Sequence, residues 1–220
     1  AVTLAEILSD HGWNTAAFVG ASVLDSRYGL DQGFAVYDDQ MVDHGEEELS
    51  TFPSRTGGEV VSAAIDWLQA AGEGPTFVWV HLFDPHAPYD PPEPELSRYP
   101  DSRYDGEIAY ADRMVGVLLD EYRRMDRLDS AHVIVTSDHG ESLGEHGEQT
   151  HGVFIYDATV KVPMVLCGPG VEPGVRLEEP VGLIDIMPTV LGLRGIPAPG
   201  MVDGRDLGPR LTSSSPGEDQ

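Results

Sequence analysis

The chain has one cysteine and one lysine in 220 residues. A single thiol, Cys167, rules out an intrachain disulfide framework; within Met164-Val165-Leu166-Cys167-Gly168 it takes the place of a buried strand residue. Bases are scarce as a class: 13 Lys and Arg stand against 38 Asp and Glu, a formal net charge of -25. Such a field repels nucleic acid and anionic lipid, which excludes nucleic-acid binding, and it opposes anionic substrates at long range. An anion-processing site here needs local compensation by a metal ion or a protonated histidine. Long apolar runs are missing too. No segment approaches the ~20 residues of a membrane span, and no charged-then-apolar leader opens the chain, so no membrane segment is expected.

What is present suits one α/β domain with a full core. Thr3 can cap a helix that turns Leu4, Ile7 and Leu8 inward and ends at Gly12; residues 15–19 then read as a strand. Residues 57–72 repeat the unit, with Val60, Val61, Ala64, Ile65 and Leu68 at helical spacing before a strand at 76–83. Residues 105–124 form a longer amphipathic helix with Ile108, Ala111, Val115, Leu118, Leu119 and Tyr122 on its inner face. Strands at 132–136 and 162–166 and a helix at 184–193, with Pro188 near its start or kinking it, complete the pattern. Alternation of this kind favours a mostly parallel central sheet with helices on both faces. The domain is expected over 1–211 and a polar, disordered tail over 212–220.

The chemistry concentrates in 132–152, where a β-branched strand runs into Ser137-Asp138-His139-Gly140 and then into further histidines and acids. In open parallel sheets ligands bind beyond the carboxyl ends of strands, which places Asp138 and His139 at a site mouth. A carboxylate beside a neutral imidazole suits zinc, manganese or iron better than calcium. A loop-capping pair is the alternative reading. His146 and His151 are the nearest candidates for further ligands. A second cluster ends the strand at 76–83: His86, between Pro85 and Pro88, sits on a stiff backbone suited to a donor aimed at an anionic oxygen. His81 shares a face with Trp79 and Phe83 and fits a structural role equally well, and Asp84 reads as a cap or as the partner that orients a histidine. The six prolines of 84–100 make a long functional loop.

Asp-Pro-His-Ala-Pro-Tyr at 84–89, Tyr-Asp-Gly-Glu-Ile-Ala-Tyr at 104–110, Thr-Ser-Asp-His-Gly-Glu-Ser-Leu-Gly-Glu-His-Gly at 136–147 and Val-Pro-Met-Val-Leu at 162–166 occur in one order. Together with Gly29 to Phe34 and Asp185 to Thr189, this set resembles the sulfatase family of the alkaline-phosphatase superfamily over nearly the whole chain. The resemblance implies an alkaline-phosphatase-like fold, here incomplete, and metal-dependent hydrolysis of sulfate esters of small molecules or glycans. It implies one divalent metal ion, calcium, manganese or zinc, with Asp138 and His139 among its ligands, and His86 and His151 as catalytic and substrate-binding groups on the transferring group. His139 stands where many sulfatases carry asparagine and where phosphonate-hydrolase-like and phosphotransferase-like relatives carry histidine, so a phosphodiesterase, phosphonate monoester hydrolase or phosphotransferase of the same superfamily is the runner-up. A degenerate, non-catalytic binding module is the third reading.

The family's nucleophile and metal-binding acids lie upstream of the helix that opens this chain. That segment is therefore expected to be missing, and these 220 residues to be nearly inert alone. Thr51-Phe52-Pro53-Ser54-Arg55 imitates the nucleophile signature ahead of a helix whose N-terminal amides could bind an anion, but it stands in the wrong order, so Thr51 is a weak candidate nucleophile. The organic part of a substrate would be gripped by loops such as 38–56 and 90–103.

Overall fold

The computed structural model describes residues 1–41 and 53–212, which form two compact units, Ala1–Met125 and Asp126–Gln220. Thr51 and the tail beyond Thr212 lie outside the described residues, while Thr212 itself bridges Val171.

In the first unit, α1 (Leu4–Asp10) opens on a capping box: the Thr3 hydroxyl accepts from the Glu6 amide while the Glu6 carboxylate accepts from the Thr3 amide. Strand β1 (Asn14–Val19) follows and is buried from Thr15 onward. That is the pattern of a central parallel strand covered on both faces. Its neighbours are β2 (Val36–Asp38) and, across α2 (Gly57–Ala70), β3 (Thr76–His81), in the order β2-β1-β3, all parallel. The sequence pattern shows no strand at 36–38, which has only three residues. Thr15 creates it: its hydroxyl donates to the Gly33 carbonyl (2.8 Å) and accepts from the Ala35 amide (2.9 Å), laying the segment beside β1.

Val60 and Ala64 of α2 pack on Ala16 and Phe18 of β1, with Val78, Val80 and Leu82 beside them. Burying each such Val or Leu contributes roughly 1.5–3 kcal/mol. The opposite face carries an aromatic ladder, with Phe34 stacked on Phe77 (5.7 Å) and Trp79 (6.1 Å) and Tyr37 against Trp79 (6.4 Å). A short α3 (Glu95–Arg98) interrupts the proline-rich loop and packs on α4 (Arg103–Arg124).

Helix α4 corrects the expected inner face. The fully buried stripe is Gly106, Glu107, Tyr110 and Met114, one residue round from the apolar stripe read from the sequence; Ile108 is exposed, while Leu118 packs on the core as expected. Polar contacts set the rotation: the Tyr110 hydroxyl accepts from the Gly58 amide (2.9 Å) and the Glu107 carboxyl from the Asp90 amide (2.7 Å).

In the second unit, β4 (Val133–Thr136) and β5 (Met164–Cys167) pair antiparallel, on either side of the 137–152 segment and the short α5 (Asp157–Val160). Cys167 lies on β5 as expected but on its exposed side, against the expectation of burial. A single 3-10 turn leads into α6 (Ile186–Leu193), with Pro188 near its start, and α7 (Gly208–Leu211) ends the described chain.

Candidate active site

The end of β3 and the loop after it place His81, Asp84 and His86 in succession. The His81 ring lies between Trp79 and Phe83, at 6.4 and 6.3 Å, and its Nδ1 faces the Gly20 amide at 3.4 Å, a structural setting. Asp84 acts as a cap: its Oδ1 accepts from the Gly57 amide at the start of α2 (3.0 Å). The His86 ring stacks on Phe83 at 4.2 Å, and its Nδ1 lies 2.7 Å from the Ala87 carbonyl oxygen. A carbonyl cannot donate, so Nδ1 carries a proton.

The α2 amides do not form the anion site that the sequence suggested. Gly57 donates to Asp84, Gly58 to Tyr110 and Glu59 to Thr56 Oγ1, which uses the first turn's donors. The Arg of the imitated signature is also committed elsewhere. Arg55 Nε donates to the Val19 carbonyl (3.0 Å), Nη1 to Asp38 Oδ1 (3.1 Å) and Nη2 to the Asp38 carbonyl (2.9 Å), with the side chain 7% exposed. It is a structural clamp between β1 and β2.

Beneath the His86 loop, Glu107 is 5% exposed. Burial pushes its carboxyl up to about 8, with the charges of Asp84 and Asp90 adding to the effect. Burial likewise raises the Asp84 carboxyl.

In the second unit, the end of β4 folds back on itself. The His139 amide donates to Asp138 Oδ1 (3.1 Å), and the Gly140 amide donates to the Thr159 carbonyl (2.9 Å). Gly140 is required there, because a Cβ would sit 2.1 Å from the Ala158 carbonyl oxygen. His139 Nδ1 donates to the Gly140 carbonyl (2.9 Å), leaving Nε2 3.8 Å from Asp138 Oδ2. Two ligand bonds of roughly 2.1 Å each can bridge that gap, and a ring nitrogen tied to a backbone carbonyl is how a ligating histidine is usually oriented. The pair therefore fits two ligands of one cation.

The expected further ligands do not join it. Among the described residues no group of three or more His, Cys, Asp or Glu could hold a metal ion. His146 stacks on Tyr156 at 4.0 Å. His151 lies over the His139 ring at 3.9 Å, with its Nδ1 3.2 and 3.3 Å from the two Glu141 carboxylate oxygens. Glu141 was not singled out from the sequence; an acid two residues after His139, ten before His151, was the available signal. Its side chain is 5% exposed, so it holds the ring from the protein side.

Solved structures share this α/β arrangement. The phosphonate monoester hydrolase SpPMH from Silicibacter pomeroyi matches with a TM-score of 0.74 at 19% identity, over 99% of this chain and 62% of that one. BT4656, solved in complex with its substrate D-glucosamine-2-N,6-O-disulfate, matches with a TM-score of 0.72 at 16% identity, over 96% and 64%. At such identities the likeness shows the fold alone, the alkaline-phosphatase-like α/β fold. The family model described as Sulfatase matches residues 1–196, and the chain belongs to that family. Arylsulfatase K of Homo sapiens is 37% identical over 106 residues, and that of Bos taurus 38% over 112. These alignments cover 48% and 51% of this chain and 20% of each of those proteins, so the chain spans about a fifth of the length of the curated relatives it matches. Sulfatases generally use a divalent metal ion.

Proposed function

We propose that this chain is part of a hydrolase acting on sulfate esters of small molecules or glycans, with residues 1–211 as its catalytic domain. The reading rests on family membership together with one observation: the Asp138 carboxylate and His139 Nε2 converge to 3.8 Å while the other ring nitrogen is tied back to the loop. Asp138 and His139 would supply part of the coordination of a single divalent ion. When bound, such an ion lowers the nucleophile's pKa and offsets charge on a non-bridging oxygen. The imidazole favours manganese or zinc over calcium.

The chain's own residues do the rest. His151 over His139 presents a ring to the same anion, with its Nδ1 side occupied by Glu141. His86 already donates from Nδ1 to the Ala87 carbonyl, so a proton on Nε2 makes its ring a cation that both offsets the ester's charge and can protonate the leaving oxygen. Each well-placed donor of this kind is worth about 3 kcal/mol of barrier. The nucleophile is unassigned, and Arg55, which would serve Thr51 in the imitated signature, is a structural clamp. These 220 residues alone should therefore turn over aryl sulfates poorly.

The whole enzyme, assayed on aryl sulfate and aryl phosphate esters beside elemental analysis, tests the reading. Asp138→Ala and His139→Ala should each lose metal and lower kcat/KM by on the order of 100-fold. A full metal complement in both variants would remove these residues from the site. A second reading, phosphonate or phosphodiester hydrolysis, is favoured by histidine at 139 and would appear as a rate ratio inverted toward phosphate. No turnover by the whole protein would leave the non-catalytic binding module.

A further inference from the structure

Two carboxyl groups, Asp84 in the loop that carries His86 and Glu107 of α4 beneath it, are only half satisfied. Asp84 Oδ2 and Glu107 Oε2 are buried with no hydrogen-bond partner among the described residues, whereas the other oxygen of each accepts a backbone amide. Glu107 is the less solvent-exposed of the two. The amides of Asp90 (2.7 Å) and His86 both face its carboxyl, so it spans the loop on either side of the Ala87-Pro88-Tyr89 segment. The His86 amide also closes a tight turn onto the Asp84 carbonyl (2.7 Å).

The ionisable groups around Glu107 are mostly acids. Asp84, His86 and Asp90 face it from the loop, and Glu59 of α2 acts on Asp84. On its own helix, Arg103 is paired with Asp90, and Tyr110 is bonded to Gly58. From α3, Glu95 is already held by both guanidinium arms of Arg113. The cations near the loop thus have partners of their own. An ionised carboxylate at 107 would be buried beside like charge with one oxygen bare, whereas a neutral acid carries its proton on that oxygen and keeps the other as the acceptor for the loop amides.

We propose that Glu107 is a positioning residue for His86: as a neutral carboxylic acid it holds the 84–90 backbone from below, and its ionisation releases the loop and misplaces the imidazole. Burial raises the group to about 8, which puts the release on the alkaline side of neutrality. The proposal rests on His86 acting on the transferring group, as argued above, and its test separates the two claims.

In the whole enzyme, infrared difference spectra of wild type against Glu107→Gln should show a protonated-carboxyl C=O band at neutral pH that the variant lacks. The backbone amide resonances of His86 and Asp90 should shift through a titration near pH ~8 in wild type and stay flat in Glu107→Gln. In kinetics, Glu107→Ala should lower kcat/KM by about 10-fold or more, and Glu107→Gln should recover most of that loss and remove the alkaline limb. Absence of the carboxyl band, or His86 and Asp90 resonances that do not move in wild type, would overturn the proposal. So would an alkaline limb that persists unchanged in Glu107→Gln. If instead His86→Ala left turnover intact, the role given to His86 would fall, while the band and resonances would still decide how Glu107 holds the loop.

Discussion

Arg55 offers the sharpest test of whether the Thr51–Arg55 segment is structural or catalytic. Truncation to alanine removes three hydrogen bonds at once: two onto backbone carbonyls, at Val19 and Asp38, and one onto the Asp38 carboxylate. Val19 is fully buried, so its carbonyl loses a partner that water cannot replace, a cost of about 1–3 kcal/mol. Breaking a buried ion pair commonly costs about 3–5 kcal/mol, but the Asp38 side chain is 21% exposed and can hydrate, which places the sum near ~3 kcal/mol. With an unfolding entropy of about 2.1 cal/mol/K per residue, that is a fall in Tm of roughly 6 °C if all 220 residues melt together. If the Ala1–Met125 unit melts on its own, the fall is roughly 11 °C.

The assay is thermal unfolding followed by circular dichroism for Arg55→Ala and Arg55→Lys. Lysine keeps the charge but not the planar fork, so it should recover only part of the loss. An Arg55→Ala protein that melts within about 1 °C of its parent would refute the clamp, since surface-like substitutions are what fall in that range. Unchanged melting combined with selective loss of sulfate binding would return Arg55 to the signature it imitates.

Glu107 also predicts how stability depends on pH. Its folded value of about 8 lies above the ordinary 4.5, so between those limits the native state holds a proton that the unfolded chain has released. Its stabilising contribution is complete below the lower limit and fades as pH rises through the upper one, by at most about 1.4 kcal/mol per pH unit, and denaturant titrations should find that slope missing in Glu107→Gln. Gly140→Ala drives a Cβ to 2.1 Å from the Ala158 carbonyl and should cost ~1–3 kcal/mol, seen as a lower Tm together with lost metal in the whole enzyme. Glu141→Ala frees the His151 ring and should lower kcat/KM by about 10- to 100-fold at unchanged Tm, with Glu141→Gln milder because its amide oxygen can still accept from Nδ1.

Periodicity made the main elements legible. The α1 cap at Thr3, α2 with its stripe at Val60, Val61, Ala64 and Leu68, and the strand before His86 stand as read, although β3 stops at His81. What escaped was decided by partners distant in sequence. Strand β2 exists because Thr15 and Arg55 hold it against β1, and neither contact leaves a trace in the residues 36–38 themselves. Helix α4 was read one position out because its most buried acid, Glu107, looks like a solvent-facing residue in any amphipathic count. In the candidate site, the motif made the nearness of Asp138, His139 and His151 legible, but not the placement of His146, which at φ 58° stacks on Tyr156.

The excess of acids is not all solvated surface. With 25 glycines and 17 prolines the chain has many loop amides that no ladder can pair, and buried carboxylates take up part of that work. Asp185 accepts from the Gly182 and Arg205 amides on separate oxygens; burial pushes its carboxyl up, but the two amides and the Arg205 charge outweigh it and the group ends below its ordinary range. Both Glu95 oxygens are met by the Arg113 fork, and it too is lowered. Asp84 and Glu107 have one satisfied oxygen each, and desolvation carries both upward. Among these four the sign of the shift follows the neighbouring charge rather than depth alone: Asp185 and Glu95 have an arginine beside them, Asp84 and Glu107 have acids, and Glu95, Glu107 and Asp185 are all buried. The two that shift upward are those that border the His86 loop. At Glu95 the fold meets both carboxylate oxygens with an arginine, whereas at Asp84 and Glu107 the second oxygen stays bare and burial favours the neutral form of the acid.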